Sequence, residues 1–257
     1  MTDHVRAALE SGVLTLTLAR PEKKNALTDA MYRALAREMT RAEADSAVRV
    51  VLFQAEGDTF SAGNDISDFA AVAAGMTPPP DVGANPFLLA LADAAKPFVA
   101  AVQGRAVGVG TTMLLHCDVV IVAEDAALTT PFVNLALVPE AASSWLLPAR
   151  VGYARAFAMF ALGRAIDGRT AVEIGIATEA VPAADVQARA LAVARELATK
   201  PPEALQATKR LLRDTAAIRE VMTREGEEFR KRLKSPEAKE AFRAFAERRP
   251  PDFGKTG

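Results

Sequence analysis

The sequence predicts an α/β fold in which buried strands alternate with helices, followed by a region made of helices alone. Short apolar runs such as 48–53 and 97–102 end at turns and are separated by segments with helical periodicity. This pattern is typical of strands that are covered on both faces. After Ser143 the strand pattern stops, and one helical segment follows another.

The first 140 residues carry the strands. Val13 to Leu18 alternates apolar residues with Thr and predicts a half-buried strand. Thr28 is a helix N-cap for a helix that runs to about Ala44. Further strands are predicted at 48–53, 97–102, 117–123 and 127–130, and further helices at 65–73 and 109–116. The stretch 75–83 is rich in Gly and Pro and predicts a mobile loop over a ligand.

The remaining chain is predicted to be helical, with Pro182, Pro201 and Pro236 marking helix boundaries. The predicted helices span 144–151, 154–162, 170–175, 185–199, 202–214, 217–233 and 236–247.

Composition excludes several classes of protein. The chain has 257 residues, half of them apolar and a quarter charged, with a net charge of −1, which is ordinary for one globular domain with or without a helical extension. No apolar run approaches the roughly 20 residues that cross a bilayer, and the first residues do not resemble a signal peptide. Cys117 is the one cysteine, so a reducing compartment, the cytoplasm, is expected. No basic cluster with aromatic residues predicts nucleic-acid binding.

Common catalytic centres are also excluded. His4 and His116 are the two histidines, and neither has a His or Cys at metal-ligand spacing, so no metal site is predicted. His116 lies in an apolar segment and is interpreted as a core residue. The glycines at 104, 108 and 110 do not form a dinucleotide-binding or Walker motif.

What remains is one carboxylate and two glycine-bearing turns. Glu140 lies in an apolar run, and the turns at 60–66 and 104–110 precede it. Each turn leads from a strand toward a helix and can leave backbone N–H groups free to bind an oxyanion. A lone acid beside two sets of amide donors suits proton transfer next to a carbonyl group.

These residues resemble the enoyl-CoA hydratase/isomerase (crotonase) superfamily. The resemblance rests on Arg20-Pro21 with Asn25-Ala26-Leu27, on the segments 60–65 and 96–104, and on Cys117-Asp118. It extends over essentially the whole chain. It implies a β/β/α superhelical core, placed at 1–195, and a C-terminal helical trimerisation region, placed at 196–257.

The resemblance also implies a substrate and its contacts. The substrate would be a CoA thioester whose carbonyl is held by the N–H groups of Asn64 and Val109, with no cofactor beyond the coenzyme A of the substrate. A homotrimer or hexamer is implied. Residues expected at the substrate are Ala62, Asp65, Ile66, Lys24, Phe132, Leu137 and Trp145, with Lys24 directed to a CoA phosphate and Trp145 to the acyl tunnel.

Departures from the family pattern select the branch. The two glutamates that activate water in the hydratases match Thr112 and Phe132 here, whereas Glu140 matches the single catalytic glutamate of the Δ3,Δ2-enoyl-CoA isomerases. The isomerase is therefore the first prediction. A hydratase or related enzyme with Glu140 as its one acid/base, and a non-catalytic acyl-CoA-binding module, remain as alternatives.

Two further interpretations concern structural roles. Ser143 and Ser144 are predicted to cap the helix that follows them. Phe229, Phe242 and Phe245 have helical spacing and are predicted to pack in the core or between subunits rather than contact a ligand.

Overall fold

The computed structural model describes residues 3–68, 75–76 and 85–255. The strands of these residues form a six-stranded sheet, in the order β1-β2-β3-β5-β7-β9, and a three-stranded sheet, in the order β4-β6-β8. The strands are β1 (Val5–Glu10), β2 (Val13–Leu18), β3 (Val50–Ala55), β4 (Thr59–Ser61), β5 (Phe98–Val102), β6 (Arg105–Val107), β7 (Val119–Ala123), β8 (Ala127–Thr129) and β9 (Glu179–Val181).

Helices cover the sheets and make up most of the second half of the chain. They are α1 (Asp29–Ala44), α2 (Pro86–Asp93), α3 (Val109–Thr112), α4 (Ser143–Val151), α5 (Tyr153–Leu162), α6 (Gly168–Glu173), α7 (Val186–Ala198), α8 (Pro202–Leu212), α9 (Thr215–Leu233) and α10 (Pro236–Ala246). Short 3-10 turns include Met113–His116 and Val133–Leu135.

The chain passes repeatedly between the two sheets. β3, β5 and β7 lie in the larger sheet, and each is followed at once by β4, β6 or β8 in the smaller one. All pairings are parallel except that of β1 with β2. A strand in each sheet followed by a helical return is the β/β/α superhelix, and the predicted fold class is confirmed.

Most predicted elements lie within two residues of the observed ones. Thr28 caps α1, because its hydroxyl accepts the N–H of Met31 at 3.3 Å. The predicted strand at 48–53 is displaced to 50–55, because the N–H of Val48 is taken by the carbonyl of Asp45 and pairing with β2 begins at Val50.

The sequence prediction missed β1, β4, β6, β9 and α2. β1 is exposed along almost its whole length and so lacks an apolar pattern. β4, β6 and β9 have three residues each, too short for any periodicity. Of the helix predicted at 65–73, residues 66–68 are helical; its remainder, and most of the predicted loop at 75–83, lie outside the described residues.

A buried lysine joins the C-terminal helices to the larger sheet. Lys209 on α8 donates to the carboxylate of Asp118 and to the carbonyl of Lys96, both at 2.8 Å. Asp118 also accepts the N–H of Phe98 at 2.7 Å, at the start of β5. The predicted domain boundary at 195 falls within α7, which packs against β3, β5 and β7. The division into a core and an oligomerisation region stays a prediction.

Among the described residues, no helix combines the length and the apolar character needed to cross a membrane.

Gly104 lies where the chain crosses from the larger sheet to the smaller one, between β5 and β6, and its φ is +61°. A Cβ atom there would lie 1.8 Å from the carbonyl oxygen of Asp58, a backbone atom that has no room to move. We expect Gly104→Ala to lower the free energy of unfolding by about 3 kcal/mol or more. Chemical denaturation would measure the loss.

Gly12→Ala is the matched control for this prediction. Gly12 also has a positive φ, but its added Cβ would meet only side-chain atoms, and the nearest is Cγ of the flexible Arg49 at 3.0 Å. We expect this variant to lose about 1 kcal/mol. Equal losses in the two variants would show that the backbone conformation alone, and not the close approach, fixes Gly104.

Candidate active site

Three loops meet at one edge of the smaller sheet. Because β4, β6 and β8 are parallel, their carboxyl ends lie side by side. Residues 62–64 follow β4, residues 108–109 follow β6, and residues 130–132 follow β8. Ligand sites of parallel sheets form at such edges. The two turns that the sequence singled out are therefore neighbours in space.

The first loop leaves one backbone donor free. Leu27 donates its N–H to the carbonyl of Gly63 at 2.7 Å, and Asp65 donates to the carbonyl of Leu27 at 3.0 Å. These two bonds flank Asn64 and turn its own N–H to the opposite side. Within the described part of the chain that N–H has no protein acceptor. Gly63 lets the loop pass close to β6, since a Cβ atom there would lie 2.7 Å from the carbonyl oxygen of Val107.

Buried polar residues of the Arg20–Leu27 segment hold this loop in place. The side chain of Asn25 accepts the N–H of Arg20 at 2.8 Å and donates to the carbonyls of Glu56 and Thr59 at 2.8 and 2.7 Å. The guanidinium of Arg20 pairs with Asp65 at 2.8 Å. The residues that carry the family resemblance here thus build the scaffold of the loop.

The second loop supplies another free donor. α3 begins at Val109, and the carbonyl of Gly108 accepts the N–H groups of Thr111 and Thr112, both at 2.9 Å. The N–H of Val109 has no acceptor within its own helix, as expected for the first residue of a helix. Among the residues described, no other acceptor reaches it.

Glu140 is buried and contacts Thr112, which lies one helical turn after Val109. Its side chain accepts the hydroxyl of Thr112 at 2.6 Å, and the residue is 2 % exposed. Burial raises the pKa of Glu140 to about 7, while the hydrogen bond from Thr112 opposes the rise and the charge of Glu225 adds to it. A carboxyl group with a pKa near neutrality can both take up and release a proton.

Strained backbone presents this carboxylate. Ala141 and Ala142 both adopt the left-handed conformation, with φ values of 59° and 57°, which costs roughly 1–2 kcal/mol per residue outside glycine. The carbonyl of Ala141 accepts the Nε2–H of His116 at 2.8 Å. Glu225 on α9 accepts the N–H of Ala142 at 2.6 Å and that of Ser144 at 2.8 Å. The turn after Glu140 is thus clamped from two sides.

These contacts settle two predictions. His116 is a buried core residue, as predicted: Arg213 donates to its Nδ1 at 2.9 Å, which leaves the proton on Nε2. The predicted capping by Ser143 and Ser144 is wrong, because neither hydroxyl caps α4. The Glu225 carboxylate takes the free N–H groups at this helix start instead. No local pattern marks this contact, since Glu225 lies more than 80 residues further along the chain.

A cavity of about 730 Å³ opens in front of the three loops. Five of the residues predicted at the substrate line it: Lys24, Ala62, Ile66, Phe132 and Leu137. Asn64 lines it as well. One part of the wall is apolar, and Lys24, Asp58 and Arg105 provide charge elsewhere. Lys24 is not a free cation, because it pairs with Asp58 at 2.9 Å.

Other predicted residues lie elsewhere. Asp65 does not line the cavity; its carboxylate binds Arg20 and accepts the N–H of Ser67 at 3.1 Å, at the start of the helical residues 66–68. Trp145 lies on α4, 42 % exposed and away from the cavity wall, so the structure gives no support to its predicted place in an acyl tunnel. Val109 and Glu140 are buried and are not among the residues that line the cavity.

Sequence reasoning missed some of the residues around the cavity. Phe229 and Phe245 line it, although they were predicted only to pack; Phe242 is buried as predicted. Tyr32 on α1 donates its hydroxyl to Oδ1 of Asn64 at 2.7 Å. Burial and the nearby charge of Glu140 raise the pKa of Tyr32 well above its usual value. No pattern in the sequence marks Tyr32, because the contact joins residues 32 positions apart.

No group of three His, Cys, Asp or Glu side chains that could hold a metal ion occurs in the described ranges.

The burial of Glu140 predicts a pH-dependent stability. The folded protein holds the Glu140 proton up to a pH of about 7, whereas the unfolded chain releases it near the usual value of 4.5. The stability contributed by this group therefore falls as pH rises from about 4.5 to about 7. Glu140→Gln removes the charge and keeps an acceptor for Thr112. We expect Glu140→Gln to raise the free energy of unfolding by about 2 kcal/mol at pH ~8, where the buried carboxylate is ionised, and by little at pH ~5.

Glu225→Gln is the matched control, measured by urea denaturation at the same two pH values. Both oxygens of Glu225 accept backbone N–H groups, and an amide has only one oxygen. This variant should lose about 1–3 kcal/mol. A Glu140→Gln variant that is less stable than the wild type at pH ~8 would contradict the buried, unpaired carboxylate.

The hydrogen bond from Thr112 lowers the pKa of Glu140, so its removal should raise that pKa. Thr112→Val keeps the side-chain volume and removes the hydroxyl that stabilises the ionised form. We expect the pKa of Glu140 to rise above about 7, by about one unit. Thr112→Ser keeps the donor and should leave it nearly unchanged. A ¹³C NMR titration of the labelled carboxyl group measures both, and an unchanged or lower pKa in Thr112→Val would refute the interaction.

Comparison with known proteins agrees with this geometry. The profile of the family described as "Enoyl-CoA hydratase/isomerase" matches residues 8–256. The chain is 33 % identical to 1,2-epoxyphenylacetyl-CoA isomerase of Escherichia coli K12, over 98 % of this chain and 99 % of that one. It is 32 % identical to enoyl-CoA delta isomerase 2 of Rattus norvegicus, over 94 % of this chain but only 63 % of that protein.

Solved structures and further relatives point the same way. The crystal structure of an enoyl-CoA hydratase/isomerase from Pseudoalteromonas atlantica T6c has a TM-score of 0.91 and 41 % identity, covering 98 % of this chain and all of that one. Proteins named as enoyl-CoA hydratases are also among the relatives. The match extends over nearly the whole chain, and the protein belongs to the enoyl-CoA hydratase/isomerase family.

Proposed function

We propose that this protein is a Δ3,Δ2-enoyl-CoA isomerase, which converts a 3-enoyl-CoA into the conjugated 2-trans-enoyl-CoA. The observation that carries the proposal is the buried carboxylate of Glu140. Glu140 is buried, hydrogen-bonded by Thr112 and poised with a pKa of about 7. The position of the second hydratase glutamate holds Phe132, which has no proton to exchange.

The reaction needs one base used twice. Ionised Glu140 takes a proton from C2 of the thioester, and the electrons move through the C3–C4 double bond and the carbonyl to form a dienolate. The same carboxyl group, now protonated, returns the proton to C4. The double bond then lies between C2 and C3. The proton only moves between carbons, so the proposed reaction requires no metal and no cofactor beyond the coenzyme A of the substrate.

The oxyanion of the dienolate would be held by the N–H groups of Asn64 and Val109. Both donors are free of protein acceptors in the described residues, and they come from adjacent loops that close approach at Gly63 keeps together. Such donors act where negative charge develops, and removing one typically costs 10²–10³-fold in rate. The apolar wall formed by Ile66, Phe132 and Leu137 would receive the acyl chain.

We also propose a homotrimer or hexamer. Trp145, Tyr153 and Phe157 are exposed on α4 and α5, and the rings of Tyr153 and Phe157 stack on each other at 5.9 Å. A cluster of exposed aromatic side chains is typical of a surface covered by another subunit. This would give Trp145 a role between subunits instead of in the acyl tunnel. We place the proposed enzyme in the cytoplasm, as the single cysteine suggests.

The activity is tested with 3-hexenoyl-CoA and crotonyl-CoA side by side, following the ultraviolet absorbance of the conjugated 2-enoyl thioester. We expect 3-hexenoyl-CoA to be conjugated and crotonyl-CoA to persist. Glu140→Gln should reduce conjugation by about 10³-fold or more, because the base is lost. Glu140→Asp keeps a carboxylate set back by one methylene and should retain partial activity.

The other outcomes identify the alternatives. Hydration of crotonyl-CoA without conjugation of 3-hexenoyl-CoA would contradict the isomerase and indicate a hydratase with one acid/base. Binding of both thioesters without any turnover would indicate a non-catalytic acyl-CoA-binding module.

A further inference from the structure

Tyr32 contacts the candidate active site at Asn64. It is on α1, and its ring packs against Phe87 with 5.8 Å between centroids. Its hydroxyl reaches Oδ1 of Asn64 at 2.7 Å. It is also close enough to Glu140 for the charge of that carboxylate to raise the pKa of the phenol. One hydroxyl therefore contacts the loop that carries Asn64 and lies within electrostatic range of Glu140.

The contact fixes the orientation of the Asn64 amide. Because burial and the charge of Glu140 keep the phenol protonated, Tyr32 is a hydrogen-bond donor, and Asn64 must present its carbonyl oxygen to it. The amide nitrogen then points away from Tyr32. Among the described residues Nδ2 of Asn64 has no acceptor, and Asn64 lines the cavity.

We propose that Tyr32 is a positioning residue that holds Asn64 so that its side-chain Nδ2 group donates to the acyl oxygen of the bound thioester, beside the backbone N–H of Asn64. The inference rests on the proposed function, in which that oxygen becomes the dienolate oxyanion. An enolate oxygen carries more negative charge than a thioester carbonyl, so an added donor stabilises it more. The effect of Tyr32 should therefore appear in kcat more than in KM.

The test is a double-mutant cycle on 3-hexenoyl-CoA. Tyr32→Phe keeps the ring against Phe87 and removes only the hydroxyl; Asn64→Ala removes the side chain and keeps the backbone N–H. We expect Tyr32→Phe to lower kcat about tenfold and Asn64→Ala about 30-fold. The double variant should be no slower than Asn64→Ala, because Tyr32 acts through Asn64. Effects that multiply, or an unchanged kcat in Tyr32→Phe, would overturn the proposal.

Two controls separate positioning from general packing. Tyr153→Phe removes the hydroxyl of the other tyrosine, which is exposed on α5 and away from the cavity, and should leave kcat unchanged. Asn64→Asp keeps an acceptor for Tyr32 and the backbone N–H, but its side chain has no N–H group. If Asn64→Asp were as active as the wild type, the role of Nδ2 as donor would be refuted.

A second measurement does not depend on turnover. Acetoacetyl-CoA forms an enolate with a strong ultraviolet band, and a site with oxyanion donors favours that form. We expect the wild type to enhance the band and Tyr32→Phe to reduce the enhancement about tenfold. This result would hold even if 3-hexenoyl-CoA were not a substrate, so that failure of the isomerase and failure of the Tyr32 inference give different results. Equal bands in wild type and Tyr32→Phe would overturn the inference.

Discussion

The burial of the Glu140 carboxylate is the constraint on which this edge of the molecule depends. A buried carboxylate without a cation beside it favours its protonated form, and moving its charge out of water is costly. The hydrogen bond from Thr112 offsets only part of that cost, and the charge of Glu225 adds to it. The pKa of about 7 is the balance of these effects. A fold that tolerates such a group must hold it rigidly, since a side chain that could swing out to water would recover its usual pKa.

Rigidity comes from the backbone that follows Glu140. Two successive alanines in the left-handed conformation store strain that a flexible loop would release. His116 donates a hydrogen bond to the carbonyl of Ala141, and the carboxylate of Glu225 accepts one from the N–H of Ala142. His116 is itself oriented by Arg213, which precedes the helix that carries Glu225. The presentation of Glu140 thus depends on the C-terminal helices, and the helical region is part of the site's architecture.

The sequence was informative where chemistry is local and uninformative where it depends on distant contacts. The two glycine turns could be found because a positive φ and a close backbone approach demand glycine within a short segment. The lone acid at 140 could be found because carboxylates are rare in apolar runs. Thr112 could be recognised as a departure from a hydratase, but its bond to Glu140 required the fold.

Residues that act across the chain left no such signal. In the sequence, Tyr32 is indistinguishable from other residues of its helix, and Glu225 is one of many charged residues on a polar helix. Trp145 was expected in the acyl tunnel because it is close to Glu140 in the sequence. Its side chain is 42 % exposed on α4, and its role stays a prediction. Periodicity predicts which residues share a helix face, but it does not predict which part of the protein that face contacts.

The residues that replace the hydratase pair bear on the kind of chemistry this site favours. A carboxylate at 112 would place two acidic groups within hydrogen-bond distance in a buried pocket, where one would remain protonated. Thr112 instead donates its hydroxyl to one oxygen of Glu140. The side chain of Phe132, whose ring centroid lies 6.0 Å from that of Phe160, has no group that could hydrogen-bond a water molecule. Under the proposed function, the carboxyl group of Glu140 moves a proton between two carbons of the substrate, and no water is added across the double bond.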